Sequence, residues 1–140
     1  MEFETDKPRG FFAIGVFLFF GATITALAAV TLLWSGTVLD RVWRLNPRAH
    51  SQLLPHRHLF GPMFVVLSAA LMVAGIGWFR RQRWGWRLTV ATIATQVLGD
   101  VLNGIQGDFV RGGIGIILAA TLLLYLLRPA VRNAFANLIL

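Results

Sequence analysis

One apolar segment of this sequence carries a carboxylate, and other polar side chains recur beside it at helical spacing. At 100° per residue, five of these side chains fall within an arc of about 100° on a helix. They are Thr89, Thr92, Gln96, Asp100 and Asn103, and we call them the polar stripe. Because an aspartate at the centre of a membrane costs roughly 2.5 to 3.5 kcal/mol, the stripe must face protein or water.

Two interpretations of Asp100 are open. In the first, Asp100 is a proton or cation site tuned by Gln96 and Asn103, because a carboxylate shielded from water can exchange protons near neutral pH. In the second, the stripe is polar packing between helices. The bonding partners then expected for the carboxylate are Asn103, Thr25, Thr121 and Arg111. The predicted spans hold no second carboxylate from which a relay could be built, which favours the second interpretation.

Metal and cofactor sites have few candidates. The histidines of the first connection are His50, His56 and His58. Three imidazoles can bind zinc, but their spacing matches no known ligand pattern and the chain has no cysteine. We therefore predict no metal site and keep these histidines as the remaining candidates. No cofactor is predicted and a bound lipid is expected, while glutamine, asparagine and histidine side chains leave ligation of a pigment or haem open.

No set of catalytic residues is visible in the sequence. It shows no serine, histidine and acid grouping and no pair of carboxylates suited to acid–base chemistry. The absence of cysteine excludes disulfides and thiolate catalysis. We therefore predict no catalytic residues. A membrane enzyme is the third hypothesis, after a subunit and a channel, and its only candidate residues are Asp100, Asn103 and the histidines.

The composition places the chain in a membrane. Of the 140 residues, 56% are hydrophobic and 14% are charged, and the mean hydropathy is +0.68. A soluble domain carries about 25% charged residues. The formal net charge is +7, but the basic residues lie at the ends of apolar segments, where they set orientation and meet anionic headgroups. The predicted partners are therefore membrane lipids and not nucleic acid.

Four apolar segments are long enough to cross the roughly 30 Å hydrocarbon core as helices. Their bounds are about 11–34, 59–79, 87–105 and 109–127. The predicted fold is all-α, a polytopic membrane four-helix bundle that forms a single domain over 1–140. Pro62 is expected in the first turn of the second span, where proline is tolerated. Small residues that favour close helix packing are Ala22, Ala26 and Ala29 in the first span and Gly112, Gly113 and Gly115 in the fourth.

The connection between the first two spans is predicted to lie in the membrane interface over residues 37–54. Apolar and charged side chains alternate there at helical spacing, with Trp43 on one side and Arg44 toward the other. Asn46 and Pro47 then predict the N-cap and first turn of a second short helix. We therefore expect an amphipathic segment that lies on the membrane.

Aromatic and basic residues at the ends of the spans are predicted interfacial anchors. They are Trp34, Trp43, Trp78, Arg80, Arg81, Arg83, Trp84, Trp86, Arg87, Tyr125 and Arg128. The two tails and the central turn together hold eight lysines and arginines, against five on the opposite side. This balance predicts a multi-pass protein of the bacterial inner (cytoplasmic) membrane with both termini in the cytoplasm.

The layout of the chain resembles a known type of protein. The central turn reads WFRRQRWGWRL and the fourth span ends in LLLYLLRP. With four short spans and an amphipathic first connection, this pattern resembles the small bacterial four-helix integral membrane proteins of unknown function and is loosely similar to the DUF2127 group. The resemblance covers most of the chain and implies a four-helix membrane fold. It carries over no functional residue.

These observations predict a non-enzymatic accessory or assembly subunit of a larger membrane protein complex. The small-residue faces and the small share of chain outside the spans support this hypothesis. The alternative is a small homo-oligomeric channel or transporter for an ion or solute, with Asp100 of the third helix lining a pathway between copies. The expected protein partners are thus other membrane subunits or further copies of this chain.

Overall fold

The described part of the chain is helical throughout. The computed structural model describes residues 8–107 and 109–136, without the side chains of Asn103 and Ala136. Its α-helices are α1 (Phe11–Leu33), α2 (Pro47–Leu53), α3 (Arg57–Phe79), α4 (Arg83–Ile105), α5 (Phe109–Leu126) and α6 (Pro129–Ala136). Two 3-10 segments, Val38–Leu45 and Leu54–His56, lie before and after α2. The predicted all-α class is confirmed, whereas the four-helix bundle stays a prediction.

Three described stretches are long and apolar enough to cross a membrane. They are Phe11–Leu33, Pro47–Phe79 and Phe109–Leu126, which supports the predicted membrane protein. The helix α4 has 23 residues and would be about 35 Å long, so it also has the length of a span. It is less apolar than the other three long helices, because it carries the polar stripe. The number of crossings therefore stays a prediction.

The chain forms two compact units, which we call the terminal unit and the inner unit. The terminal unit contains residues 1–16 and 73–140, and the inner unit contains residues 17–72. The helices α4, α5 and α6 belong wholly to the terminal unit, together with the first turns of α1 and the last turns of α3. The single domain predicted from the sequence remains a prediction.

A buried aromatic cluster holds one end of the terminal unit together. Trp78 is fully buried, and its indole Nε1 donates a hydrogen bond of 2.7 Å to the Phe11 carbonyl oxygen. Its ring lies 5.3 Å from the ring of Phe11 and 4.7 Å from that of Phe135. The sequence predicted Trp78 to be an interfacial anchor. Instead it joins the start of α1, the end of α3 and α6, because its whole side chain packs against protein.

Further contacts fix the helix ends beside this cluster. A Cβ atom added to Gly77 would lie 2.7 Å from the Gly85 Cα, so α3 and α4 cross with their backbones in close contact. The Trp86 indole donates to the Leu126 carbonyl oxygen at 3.0 Å, and the Tyr125 hydroxyl donates to the Arg9 carbonyl oxygen. These bonds connect the start of α4 with the end of α5, and the end of α5 with the segment before α1.

The inner unit joins part of α1 to the first connection and the first turns of α3. The Ser68 hydroxyl donates to the Ala22 carbonyl oxygen at 2.8 Å, beside the predicted small-residue face. The indole of Trp43 donates to the hydroxyl of Thr31 at 2.8 Å, which fixes the first 3-10 segment to α1. Asn46 caps α2, as predicted, since its side chain accepts a bond of 3.2 Å from the Ala49 amide.

The start of α3 differs from the sequence prediction. The helix begins at Arg57, so Pro62 lies inside it and not in its first turn. Proline has no amide hydrogen to donate to the preceding turn. The helix nevertheless continues through Pro62 without a break. Together with α2 and the second 3-10 segment it forms the helical stretch Pro47–Phe79, which contains an apolar part long enough to cross a membrane.

Candidate functional site

Asp100 lies on the side of α4 that packs against α5, and only 8% of this residue is exposed. Thr89 is also buried, whereas Thr92 is half-buried and Gln96 is exposed. Extensive contacts join α4 and α5. A common environment for the whole stripe stays a prediction.

The hydroxyls of the stripe bond within their own helix. Thr89 donates to the Gly85 carbonyl oxygen and Thr92 donates to the Leu88 carbonyl oxygen, each at 2.8 Å. Such bonds to the preceding turn satisfy a threonine hydroxyl without a second helix. The two threonines therefore provide small, satisfied surfaces for packing and no bond between helices.

The amide group of Gln96 holds the carboxylate of Asp100. Its Nε2 atom lies 3.3 Å from each carboxylate oxygen. The two residues are four positions apart, which places their side chains on the same helical face. The threonines expected to bond with Asp100 are occupied elsewhere: Thr25 donates to Gly21 and Thr121 donates to Ile117, each within its own helix. The side chain of Asn103 lies outside the described residues.

Two glycines of α5 make room for the aspartate. A Cβ atom added to Gly115 would lie 2.5 to 2.7 Å from the carboxyl atoms of Asp100. A Cβ atom added to Gly112 would lie 2.7 Å from the backbone nitrogen of Gly104 and 2.9 Å from the backbone oxygen of Asp100. The neighbouring Gly113 has open space around its Cβ position. The glycines at 112 and 115 thus let α5 pass directly over the carboxylate.

The predicted histidine candidates are not brought together. His50 stacks on Trp43 with 5.0 Å between the ring centroids, and His56 makes an edge contact with Phe60. Within the described residues, no group of three histidine, cysteine or acidic side chains could hold a metal ion. The described residues therefore do not bring the three histidines together as ligands of one metal ion.

The predicted anchors fall into two groups. Trp34, Trp84 and the arginines at 80, 83, 87 and 128 are exposed. In contrast, Trp43, Trp78 and Trp86 each donate an indole hydrogen bond to the protein. Arg81 is half-buried and its Nη2 atom lies 3.4 Å from the Ala134 carbonyl oxygen. The indoles of these three tryptophans therefore connect helical segments to each other, although Trp78 and Trp86 lie near the ends of predicted spans.

The arrangement around Asp100 limits its chemistry. A carboxylate beside an amide donor can hold a proton or a single cation. Within the described residues, Asp100 belongs to no group of three histidine, cysteine or acidic side chains that could hold a metal ion. The geometry is that of a helix–helix contact with one buried acid.

Comparison with known proteins leaves this site without a precedent. No protein-family model, curated protein or solved structure matches the chain. The similarity in layout to the DUF2127 group therefore stays a prediction. A function for this protein is therefore inferred from the residues of the chain itself.

Substitution of Gly115 tests the fit of the carboxylate against α5. Gly115→Ala forces the carboxylate or α5 to move, and we expect a loss of about 1 to 3 kcal/mol from overpacking. The matched control is Gly113→Ala on the same helix, where the open space allows a neutral or slightly stabilising change of up to about 1 kcal/mol. Thermal denaturation of the purified protein in detergent measures both, and equal midpoints for the two variants would contradict the contact.

Proposed function

We propose that this protein is a non-enzymatic accessory or assembly subunit of a larger membrane protein complex. The observation that carries the proposal is the composition of α4. One side of α4 packs against α5, while on its other side the small residues Ala91 and Thr95 are exposed next to the apolar residue Leu98. Beside them, the Cβ position of Gly99 has no neighbour within 4 Å. In a bilayer, small and weakly polar residues on a helix favour close packing of another helix.

The use of Asp100 within the chain supports the same proposal. Its carboxylate is held by Gln96 and covered by Gly115, both in the terminal unit. A charge used in this way joins two helices and offers little surface to a passing ion. The protein would then contribute shape and packing to a complex, and the chemistry would reside in its partners.

The membrane arrangement proposed with this function has four crossings in a bacterial inner membrane. The helices α1, α3, α4 and α5 would cross, and both termini would lie in the cytoplasm. The balance of lysine and arginine favours this orientation. The pairing of α4 with α5 supports a crossing by α4, because the buried carboxylate is then shielded from the hydrocarbon.

Single cysteines test the number of crossings without background, because the chain contains none. We choose Ser35→Cys, Gln82→Cys, Gln106→Cys and Asn133→Cys, all at exposed positions between or after the long helices. With four crossings, a maleimide that cannot pass the membrane labels 35 and 106 from outside intact cells. It reaches 82 and 133 only after lysis. Labelling of 82 and 106 from the same side would show that α4 does not cross.

The exposed side of α4 provides a test of complex formation. Gly99→Leu adds a side chain where the protein itself leaves open space, so folding should be retained while a partner helix is displaced. We expect the partner polypeptides recovered with the protein in mild detergent to fall at least about tenfold, the equivalent of 1.4 kcal/mol. Gly113→Leu on α5 is the matched control. Recovery that is undiminished by Gly99→Leu, or no partner with the wild type, would count against the subunit proposal.

The alternative function is a small homo-oligomeric channel or transporter for an ion or solute. The observation that favours it is a buried acid beside an amide donor, since intramembrane carboxylates often mark ion pathways. Under this alternative, Asp100→Asn abolishes ion flux in proteoliposomes and leaves expression and assembly intact. Unchanged flux in the variant, or no flux with the wild type, would exclude it.

A further inference from the structure

An apolar groove lies between the start of α1 and the end of α3, and one side of the groove is open. It has a volume of about 440 Å³ and is lined by Pro8, Gly10, Phe11, Phe12 and Phe79. The ring of Phe79 makes edge contacts with the rings of Phe11 and Phe12, at centroid distances of 6.1 and 5.9 Å. Phe12 itself is 72% exposed. The groove therefore has aromatic walls and an open side.

The position of the groove relative to the candidate spans is informative. Phe11 is the first residue of one stretch able to cross a membrane and Phe79 is the last residue of another. The groove thus lies where apolar helix gives way to polar turn. In a membrane this is the depth at which acyl chains meet headgroups.

Two arginines are adjacent in sequence to residues that line the groove. Arg9 lies between the lining residues Pro8 and Gly10, and Arg80 directly follows Phe79. Both arginines are exposed. An apolar groove with two cationic residues next to its lining is complementary to an amphipathic anion.

The segment that carries Arg9 is held in place. Its carbonyl oxygen accepts the hydrogen bond of the Tyr125 hydroxyl, and the Phe11 amide donates to the Pro8 carbonyl oxygen at 3.0 Å. Gly10 has a φ of +85°, and a Cβ atom there would lie 3.3 Å from the Tyr125 hydroxyl oxygen. The turn is therefore specific to glycine and holds the backbone of Arg9 beside the groove.

We propose that this groove binds an anionic phospholipid. An acyl chain lies against Phe11, Phe12 and Phe79, and the phosphate lies between the guanidinium groups of Arg9 and Arg80. Arginine recognises phosphate through charge and paired N–H donors, and basic pockets beside membrane helices are known to hold anionic headgroups. The proposal is independent of the subunit function, because it concerns a lipid and not a protein partner.

Native mass spectrometry of the full chain tests the lipid site. The protein in mild detergent is mixed with equal amounts of phosphatidylglycerol and phosphatidylcholine that carry the same acyl chains. We expect retained phosphatidylglycerol to exceed phosphatidylcholine in the wild type. Each arginine near an anionic headgroup contributes a factor of about five, so Arg9→Gln with Arg80→Gln should lower this preference about 25-fold.

Two further variants separate the site from general surface charge. Arg44→Gln with Arg48→Gln removes two exposed arginines that are distant in sequence from the groove residues. This variant should leave the preference for phosphatidylglycerol unchanged. Phe12→Ala should lower retention of both lipids without changing their ratio, because it removes one wall of the groove. Competition with millimolar inorganic phosphate should release little lipid, since free phosphate has no acyl chain.

The opposite results would overturn the proposal. These are equal retention of the two lipids by the wild type, or an equal loss of preference in the control pair at 44 and 48. Displacement of the lipid by inorganic phosphate would instead indicate a simple anion site. Thermal denaturation midpoints establish that each variant is folded. If the variant with both Arg9→Gln and Arg80→Gln does not fold, the lipid ratio of the wild type and the retention by Phe12→Ala test the proposal.

Discussion

The burial of one carboxylate between two apolar helices constrains much of the terminal unit. A charge in such surroundings is costly unless a donor and close protein packing replace the water it has lost. Gln96 provides the donor, and α5 provides the packing because Gly112 and Gly115 let its backbone approach α4. The glycines at the start of α5 and the acid near the end of α4 are thus two parts of one contact.

This contact bears directly on function. Among the polar groups of α4 that a pathway would use, Thr89 and Thr92 bond to their own helix and Asp100 lies against α5. On the side of α4 away from Asp100, the small residues Ala91 and Thr95 are exposed beside the open position at Gly99. Asp100 is buried against α5, and small residues are exposed on the opposite side of α4. This arrangement suits a protein that packs against other membrane helices.

Length and apolar composition predicted where the long helices lie. The apolar segments bounded the long helices to within a few residues, and the Asn46–Pro47 pair marked the start of α2. These features depend on local sequence, namely the apolar length of a helix, its 100° repeat and the capping chemistry of its first turn.

Features that depend on distant residues were not predicted. Trp78 reads as an anchor because it precedes a basic turn, yet it is buried by Phe11 and Phe135 from the two ends of the chain. The sequence predicts a first-turn position for Pro62 because the residues before the apolar segment are polar. These polar residues already belong to α3, which begins at Arg57. The donor to Asp100 lies in its own helix, and sequence alone could not exclude partners on other helices.

The most direct test of this account is a disulfide between positions 100 and 115. Because a Gly115 Cβ would lie 2.5 Å from the Asp100 Cγ, the two Cβ positions are at most about 4 Å apart, within the range that a disulfide spans. In this cysteine-free chain, Asp100→Cys with Gly115→Cys should form a disulfide within one chain on mild oxidation in membranes, whereas Asp100→Cys with Gly113→Cys should not. Disulfide-linked dimers in place of the internal bond would show that the stripe faces another copy, and would contradict the account.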